Sequence, residues 1–393
     1  MKYFYRIILF FGFLLIVLLI IIYIRGYRIN LQKKTVTATG IVAISSNPKA
    51  AKVYVNKELK GVTDLNLNLI PGEYYVEVKK EGYTSWQKKV KIKGELVVTL
   101  DALLFPINPY FSPLTNLGVK KAFPLDQTGK ILLYIEKNDL EKDGFYILNI
   151  DKQPISFFEP LKLILKKNNL PYDNIDLKTI SFDFSPDFKE AILNLKEKSY
   201  FISLEKENQS VFDITNSKEK LIDYWQKEKE KNTQKILETF KEDFVKIATE
   251  SFKLISFSPD NSKVFYQAKK SLNLPIIIRP RLPSTNPTKE ERMLKKDFLY
   301  VYDKKEDKNY EIGNWKMEKE NSFMWYPDSK RLLVNEKGKI SVFDYDGENK
   351  KVIYSGPYEK DFFLVSSSGN LILLINFNPE NNPEPDIYEV DIK

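Results

Sequence analysis

The spacing of apolar residues along the 393-residue chain changes twice, and each change predicts a different kind of element. Residues 7–24 form one apolar run without a charge, long enough to cross a bilayer as a helix. Residues 40–100 alternate apolar and polar positions between closely spaced turns, as half-buried strands do. From residue 119 onward, short polar turns are repeatedly followed by apolar, β-forming runs. The pattern predicts a mainly β protein behind one N-terminal helix.

The N-terminal run is interpreted as a membrane anchor within residues 1–34. Both of its flanks are basic, with Lys2, Arg6, Arg25, Arg28, Lys33 and Lys34. A cleaved signal peptide is the alternative, but the apolar core is too long for one and no small-x-small cleavage site follows closely. Because basic residues flank both sides, the positive-inside rule leaves the orientation open. By analogy with other single N-terminal anchors, we expect a single-pass cell-membrane protein with the bulk of the chain outside.

Residues 35–100 are predicted to form a small β-sandwich, and they resemble the PEGA domain. The residues that carry the resemblance are Pro71-Gly72-Glu73-Tyr74 and Gly82-Tyr83, with Ser46-Asn47-Pro48, Val53-Tyr54-Val55 and Gly61 upstream. The sequence departs from the family at Thr63-Asp64, where Thr-Pro is common. The resemblance implies an extracytoplasmic, wall-facing or surface-associated module without catalytic activity. Residues 101–118 follow as a Pro-rich linker that we expect to pack on the next domain.

Five copies of a turn-plus-strand unit occupy the remainder of the chain. The clear copies begin at Ser185-Pro186-Asp187, Ser258-Pro259-Asp260 and Tyr326-Pro327-Asp328, and the weaker ones at 126–129 and 366–369. Recurrent units of this kind are typical of repeat architectures, in which one unit cannot bury its apolar face alone. The turns and the strands after them resemble TolB-like, WD-type propeller repeats. That resemblance implies a β-propeller over 119–393, with five blades, or six if residues 100–111 contribute strands.

Two insertions interrupt the repeat. Residues 217–251 space their apolar positions three to four apart in a Lys/Glu-rich background, which predicts a helical insertion. Residues 272–296 form a Pro-rich arm. Because long loops on a regular scaffold are more often functional than decorative, we expect partner contacts at both insertions.

Composition excludes several kinds of chemistry. The chain has no Cys and no His, so disulfides, haem-thiolate centres, Cys/His zinc sites and His-dependent triads are impossible. It also contains no Walker, GxSxG or GxGxxG motif. The segment 344–349 begins like a calcium loop, but its twelfth position is Ser355, so we interpret it as a hairpin turn. We therefore predict no catalytic, cofactor-binding or metal-binding residue and no cofactor, and the ligand-binding residues are unknown.

Positive charge is concentrated near the N-terminus. Of the formal charge of +8, residues 1–34 contribute six Lys/Arg and no acid, and residues 35–100 contribute ten Lys against six acids. The rest of the chain is close to neutral, which does not fit a nucleic-acid binder. Charge beside a membrane anchor favours anionic lipid head groups or an anionic wall polymer.

Together these patterns predict a non-catalytic binding or scaffolding protein of the cell envelope. Its expected partners are the membrane, and a wall polymer or an envelope protein. The oligomeric state is not predicted. The alternative is a carboxylate-dependent enzyme acting on a glycan, which would need two Asp or Glu residues about 5–10 Å apart in the propeller axis. Four aromatic residues could stack on sugars, but we interpret them as core packing: Trp225, Trp315, Trp325 and Tyr358.

Overall fold

The fold is known from a computed structural model. It describes residues 2–24, 27–30, 35–125, 129–137, 139, 141–150, 161–171, 176–281, 285–315, 322–380 and 383–393. The predicted turn at 126–129, apart from its last residue, lies outside the described residues, as do Arg25, Lys33 and Lys34.

The apolar N-terminal run forms helix α1, Lys2–Ile24. Its stretch Tyr3–Ile21 is long and apolar enough to cross a membrane, and none of it is buried against the rest of the protein. Membrane-spanning helices and signal sequences share these properties. A short antiparallel hairpin follows, made of β1 (Tyr27–Asn30) and β2 (Thr35–Ala38).

Residues 40–103 form a sandwich of two sheets, here called the N-terminal sandwich. Its strands are β3 (Gly40–Asn47), β4 (Lys52–Val55), β5 (Glu58–Val62), β6 (Leu65–Leu69), β7 (Gly72–Lys79), β8 (Trp86–Ile92) and β9 (Val97–Leu103). One sheet has the order β6-β3-β9, with β3 and β9 parallel, and the other has the order β5-β4-β7-β8. The alternating apolar residues point between the sheets, where Val42, Val53, Val76 and Val90 are fully buried. The period-two pattern thus produces one dry core between two faces.

The chain after residue 109 builds five four-stranded antiparallel sheets in its described part. Sheet 1 contains β11 (Val119–Leu125), β12 (Lys130–Ile135), β13 (Gly144–Asn149) and β14 (Leu161–Lys166). Sheet 2 contains β15 (Ser181–Phe184), β16 (Glu190–Leu195), β17 (Lys198–Ser203) and β18 (Phe212–Asp213). Sheet 3 contains β19 (Phe252–Phe257), β20 (Lys263–Ala268), β23 (Leu299–Asp303) and β24 (Lys308–Gly313). Sheet 4 contains β25 (Phe323–Trp325), β26 (Arg331–Glu336), β27 (Lys339–Asp344) and β28 (Lys351–Tyr354).

Sheet 5 combines strands from distant parts of the chain. It contains β29 (Phe363–Val365), β30 (Leu371–Ile375), β31 (Asp386–Asp391) and, at its edge, β10 (Tyr110–Pro113). Residues 100–111 therefore belong partly to β9 and partly to β10 and form no further sheet of their own. A one-turn 3-10 helix covers Lys167–Asn169, and β21 (Leu272–Asn273) pairs with β22 (Met293–Leu294) inside the Pro-rich arm.

Apolar clusters join the five sheets in the order 2–1–5–4–3. Representative pairs from these clusters are Leu193 with Leu132, Leu133 with Ile372, Leu373 with Leu333, and Leu332 with Val301. No sheet closes on itself in the described part of the chain. The fold is thus mainly β with many open sheets, and the propeller and its blade count stay a prediction.

The recurrent turns have a shared hydrogen-bonding reason. Ser185 Oγ accepts a hydrogen bond from the backbone N–H of Glu190 at 3.0 Å and donates one to Asp187 at 2.8 Å. Ser258 Oγ accepts the equivalent bond from Lys263 at 2.9 Å. The fourth residue of the turn has positive φ in each case: Phe188, Asn261, Ser329 and Gly369. In the copies that begin with serine, its hydroxyl closes the turn onto the following strand, whereas the copy that begins at Tyr326 is closed through its backbone.

The helical insertion consists of α2 (Lys218–Leu237) and α3 (Glu242–Ser251). Its polar contacts reach two sheets that no apolar cluster joins directly. Lys218 Nζ donates to Asn194 Oδ1 of sheet 2 at 2.7 Å, and Lys304 Nζ, beyond β23 of sheet 3, donates to Thr239 Oγ1 at 2.7 Å. The two helices therefore bridge sheets 2 and 3.

Candidate functional site

A polar cavity of about 180 Å³ lies where the N-terminal sandwich meets sheets 3 and 4. We call it the junction cavity. Its lining residues are Trp86, Lys88, Thr99, Leu100, Asp101, Lys263, Thr285, Asn286, Lys330, Arg331, Asp344, Tyr345 and Asp346. The sandwich, the Pro-rich arm and sheets 3 and 4 all contribute to this lining, so the cavity exists only in the assembled molecule.

Strand alternation places two sandwich residues in the junction. Trp86 and Lys88 lie two apart at the start of β8, so they project from the same face of the strand. Both are buried, although Lys88 carries a charge. The Nζ of Lys88 pairs with Asp346, in the turn that follows β27, and these side chains are 7% and 1% exposed. An ion pair this deep is stable only if further hydrogen bonds satisfy its remaining polar atoms.

Those further hydrogen bonds to Asp346 come from the Pro-rich arm. Asn286 Nδ2 donates to Asp346 Oδ2 at 2.9 Å, and Thr288 Oγ1 donates to the same oxygen at 2.7 Å. Burial by itself raises the pKa of Asp346. The charge and hydrogen bond of Lys88, together with the hydrogen bonds from Thr288 and Asn286, outweigh burial, so that pKa lies below its ordinary value. Asp346 is therefore an ionised centre that binds the sandwich and the arm together.

The neighbouring carboxylate Asp344 also ties the sandwich to sheet 4. It accepts hydrogen bonds from Trp86 Nε1 at 3.2 Å and from Asn349 Nδ2 at 2.8 Å, and Arg331 Nε lies 3.3 Å from its Oδ1. Burial raises the pKa of Asp344 above its ordinary value, although the charge of Arg331 opposes the shift. Two buried carboxylates two residues apart thus have pKa values displaced in opposite directions.

Arg331 is the central cation of the junction and is almost completely buried. It pairs with Asp328 and donates a hydrogen bond to the backbone carbonyl of Asp101 in β9. Lys330 Nζ reaches the Asp101 carboxylate at 2.5 Å. Burial lowers the pKa of Arg331, but the carboxylates of Asp344, Asp328 and Asp101 outweigh it and raise that pKa above its ordinary value. The guanidinium of Arg331 is therefore always charged, and it makes its ion pairs and hydrogen bonds within the protein.

An apolar contact continues the junction beyond the polar cluster. Leu103 and Phe105, at the end of the sandwich, belong to the same buried cluster as Tyr326 and Leu333 of sheet 4. The rings of Phe105 and Tyr326 meet edge to face, with centroids 6.4 Å apart. Polar and apolar contacts together fix the sandwich on sheet 4.

The two insertions predicted to hold partner contacts lie at different places. Residues 285–288 of the Pro-rich arm reach the junction cavity, whereas the helices of 217–251 lie between sheets 2 and 3. The segment 344–349, interpreted from sequence as a simple hairpin turn, carries two of the junction's carboxylates. Sequence reasoning missed Lys88 and Asp346, because no local signal links residues 258 positions apart.

The aromatic residues considered as sugar contacts have mixed exposure. Trp225 and Trp325 are buried, and Trp315 and Tyr358 are half-buried. Among the described residues, no group of three or more His, Cys, Asp or Glu side chains is placed to hold a metal ion.

Residues 39–108 match the PEGA domain family. The prediction of a PEGA-like domain is confirmed for this segment, and the match continues past the predicted end at residue 100. No curated protein sequence matches the chain.

Several solved structures align with the chain at very low similarity. They include a luciferin-regenerating enzyme at 11% identity and a TM-score of 0.21, covering 73% of this chain and 80% of that one. The acylaminoacyl peptidase of Pyrococcus horikoshii aligns at 11% identity and a TM-score of 0.21, covering 70% and 39%. A putative TolB from Agrobacterium tumefaciens aligns at 10% identity and a TM-score of 0.21, covering 87% and 99%. Superpositions this loose carry no argument about activity.

Proposed function

We propose that this protein is a membrane-anchored, non-catalytic component of the cell envelope that holds a PEGA domain and a β-propeller as one rigid binding platform. The observation that carries the proposal is the junction, where the buried ion pair of Lys88 with Asp346 fastens the PEGA domain to sheet 4. A flexible tether would need none of these contacts. Rigid presentation of two domains suits a scaffold that binds a wall polymer or another envelope protein.

Anchoring by α1 is supported by its exposed apolar surface. Side chains along 3–21 are exposed with no protein packed against them, and such a surface is stable in lipid rather than in water. The basic residues on both flanks favour head groups at the two membrane surfaces. In this proposal the helix stays attached and the remainder of the chain lies outside the cell membrane.

A propeller is supported by the order in which the sheets pack. Five four-stranded antiparallel sheets follow one another, and clusters join all neighbouring pairs except sheets 2 and 3, where the helices intervene. Strand β10, from before the first sheet, completes the last one. Joining the first and last parts of a repeat chain in one sheet is a common way to close a ring.

Cell fractionation and labelling test this proposal together. The chain has no Cys, so Glu205→Cys on an exposed loop gives a single reactive thiol. We expect the full-length protein to remain in carbonate-washed membranes and the thiol of intact cells to react with a membrane-impermeant maleimide. Recovery of a soluble protein that lacks residues 1–24 would overturn the anchored arrangement. A thiol that reacts only after lysis would overturn the external arrangement.

A second candidate is suggested by Asp344 and Asp346, because carboxyl groups with opposite pKa shifts can act as acid and base in glycan cleavage. Two facts favour the scaffold. The oxygens of both carboxylates are engaged by donors of the protein itself, and the cavity of about 180 Å³ is smaller than the ~300–1,000 Å³ usual for ligand sites. Release of reducing sugar from wall polysaccharide by the native protein, but not by Asp344→Asn, would reverse this preference.

A further inference from the structure

The end of the PEGA domain at which β8 ends and β9 begins is the second surface of interest. Three segments meet there: the beginning of β3, the turn between β6 and β7, and the turn between β8 and β9. The register confirms their proximity, because Gly40 lies opposite Leu69 and Ile41 lies opposite Val97. The backbone N–H of Ile41 also donates to the carbonyl of Leu96 at 3.0 Å. We call residues 69–73 and 91–97 the distal surface.

The hairpin after α1 holds the distal surface close to the end of the apolar helix. Its register places Ala38 beside Tyr27, three residues after α1 ends at Ile24. Three residues span at most about 11 Å even when fully extended. A Cβ on Gly94, in the β8–β9 turn, would lie 3.0 Å from the Cβ of Ala38. The chain thus leaves the helix, turns back through the hairpin and brings the distal surface within reach of the bilayer.

The distal surface combines apolar and basic side chains. Ile70, Leu96 and Val97 are 59%, 40% and 44% exposed, so the surface presents three large apolar side chains to the solvent. Lys91 and Lys93 are exposed at the end of β8. Apolar side chains ringed by lysines are suited to the boundary between acyl chains and head groups.

The acidic groups nearby do not cancel this charge. Glu73 is paired with Lys89, whose Nζ lies 2.7 Å from its carboxylate. Glu95 is the other acid of the surface. With Lys89 included, the three lysines Lys89, Lys91 and Lys93 outnumber these two carboxylates by one, which favours anionic over zwitterionic lipid.

We propose that the distal surface of the PEGA domain rests on the membrane, with Leu96, Val97 and Ile70 at the acyl boundary and Lys91 and Lys93 on anionic lipid head groups. The proposal rests on the anchoring role of α1 and adds a second point of contact. Two contacts fix the orientation of the platform relative to the bilayer. The PEGA domain then acts as a rigid support on the membrane rather than as a free ligand-binding module.

The test uses the full chain in vesicles of phosphatidylcholine, with or without phosphatidylglycerol, that contain spin-labelled lipid. Single thiols are introduced by Leu96→Cys on the distal surface, by Glu81→Cys at the opposite end of β8, and by Ile16→Cys in α1. Each carries the same fluorophore. The seven residues of β8 span about 20 Å, so the first two labels report different heights above the membrane.

We expect lipid to quench the label at position 96 but not the one at 81, with stronger quenching when phosphatidylglycerol is present. Lys91→Glu combined with Lys93→Glu should reduce the quenching at 96 to its level in phosphatidylcholine alone. Equal quenching at 81 and 96, with the label at 16 still quenched, would overturn the distal contact while leaving the anchor intact. Loss of quenching at 16 would instead refute anchoring. If quenching at 96 depends neither on lipid charge nor on the lysine substitutions, tethering by α1 explains it. That outcome would overturn the role of anionic lipid.

Discussion

The two insertions of the sheet region are both expected to contact partners, but different interactions hold them in the structure. The helical insertion is held by aromatic stacking, with the rings of Phe244 and Tyr302 only 4.0 Å apart. Residues 285–288 of the Pro-rich arm are held by hydrogen bonds, two of which go to the buried carboxylate of Asp346. Apolar packing is tolerant of pH and salt, whereas a buried ion pair depends on every partner being present. The insertion that fastens the PEGA domain is therefore the more vulnerable one.

The strongest expected effect follows from removing the carboxylate of the junction. Asp346→Ala leaves the ammonium of Lys88 buried without its partner, and removing one member of a buried pair costs about 3–5 kcal/mol. We expect urea unfolding to report a loss of this size. Glu348→Ala, in the same turn but exposed, is the matched control and should stay within about 0.5 kcal/mol of the native protein.

A double substitution separates the contribution of the Lys88–Asp346 ion pair from that of the polar contacts around it. Lys88→Met together with Asp346→Leu removes both charges, so it should destabilise the protein less than Asp346→Ala alone. If the double variant is the less stable of the two, the ion pair is not the reason for the sensitivity of this junction.

The aromatic packing of the helical insertion should be less sensitive. Phe244→Leu keeps an apolar side chain but loses the stack on Tyr302, for which we expect a loss of about 1–2 kcal/mol in the free energy of unfolding. Lys246→Ala on the exposed side of the same helix is the control. A loss larger than that of Asp346→Ala would mean that the helical insertion, and not the Pro-rich arm, is the more sensitive of the two.

A single hydroxyl of the arm provides a finer comparison. Thr288→Ala removes one of the three side-chain donors to Asp346, and we expect a loss of about 1 kcal/mol because Lys88 and Asn286 remain. Thr249→Ala removes an exposed hydroxyl that bonds only the backbone of α3, and it should be close to neutral. Equal effects of the two changes would mean that the arm is not fastened through Asp346.

Much of the fold could be predicted because its signals are local. Turns such as Ser258-Pro259-Asp260 fold through bonds made within five residues, so the motif can be read directly from the chain. The sandwich could be predicted for the same reason, since its apolar positions alternate. The place of β10 could not, because residues 110–113 complete a sheet with Asp386–Asp391, and only the assembled molecule brings those segments together.

The junction was beyond sequence reasoning for a related reason. A lysine in a strand is usually solvated. Lys88 shares the apolar face of β8 with Trp86 and Val90, which indicates burial, but nothing near it in the chain indicates its partner. Asp344 and Asp346 resemble the polar residues of any hairpin turn. Their roles arise because the PEGA domain covers that turn and removes it from water. The contact of the arm with the PEGA domain, in which the backbone N–H of Thr99 donates to the carbonyl of Thr285 at 3.3 Å, was not predicted, and binding of a partner by the arm stays a prediction.

The smallest expected effect is on the pH dependence of stability, and the two carboxylates contribute with opposite sign. The folded pKa of Asp346 is lowered, so its stabilising contribution is present above the ordinary value of 3.8 and is lost as the pH falls. The folded pKa of Asp344 is raised, so folding favours its protonated form and its contribution weakens as the pH rises above 3.8. Stability should therefore be greatest at mildly acidic pH and should fall steeply only in stronger acid.

Urea unfolding between neutral pH and pH 3 can separate the two contributions. Asp344→Asn should remove the gain seen on mild acidification, because no group remains there to take up a proton. Asp346→Asn should weaken the loss in strong acid and also reduce the mild gain, because the charge of Asp346 is one cause of the raised pKa of Asp344. Each slope should be less than about 1 kcal/mol per pH unit, the limit for a fraction of one proton exchanged on unfolding. If neither substitution changes the dependence of stability on pH in the range assigned to it, the two carboxylates do not control the acid response of the junction. The contrast between an ionic arm and an apolar helical insertion then has no electrostatic basis.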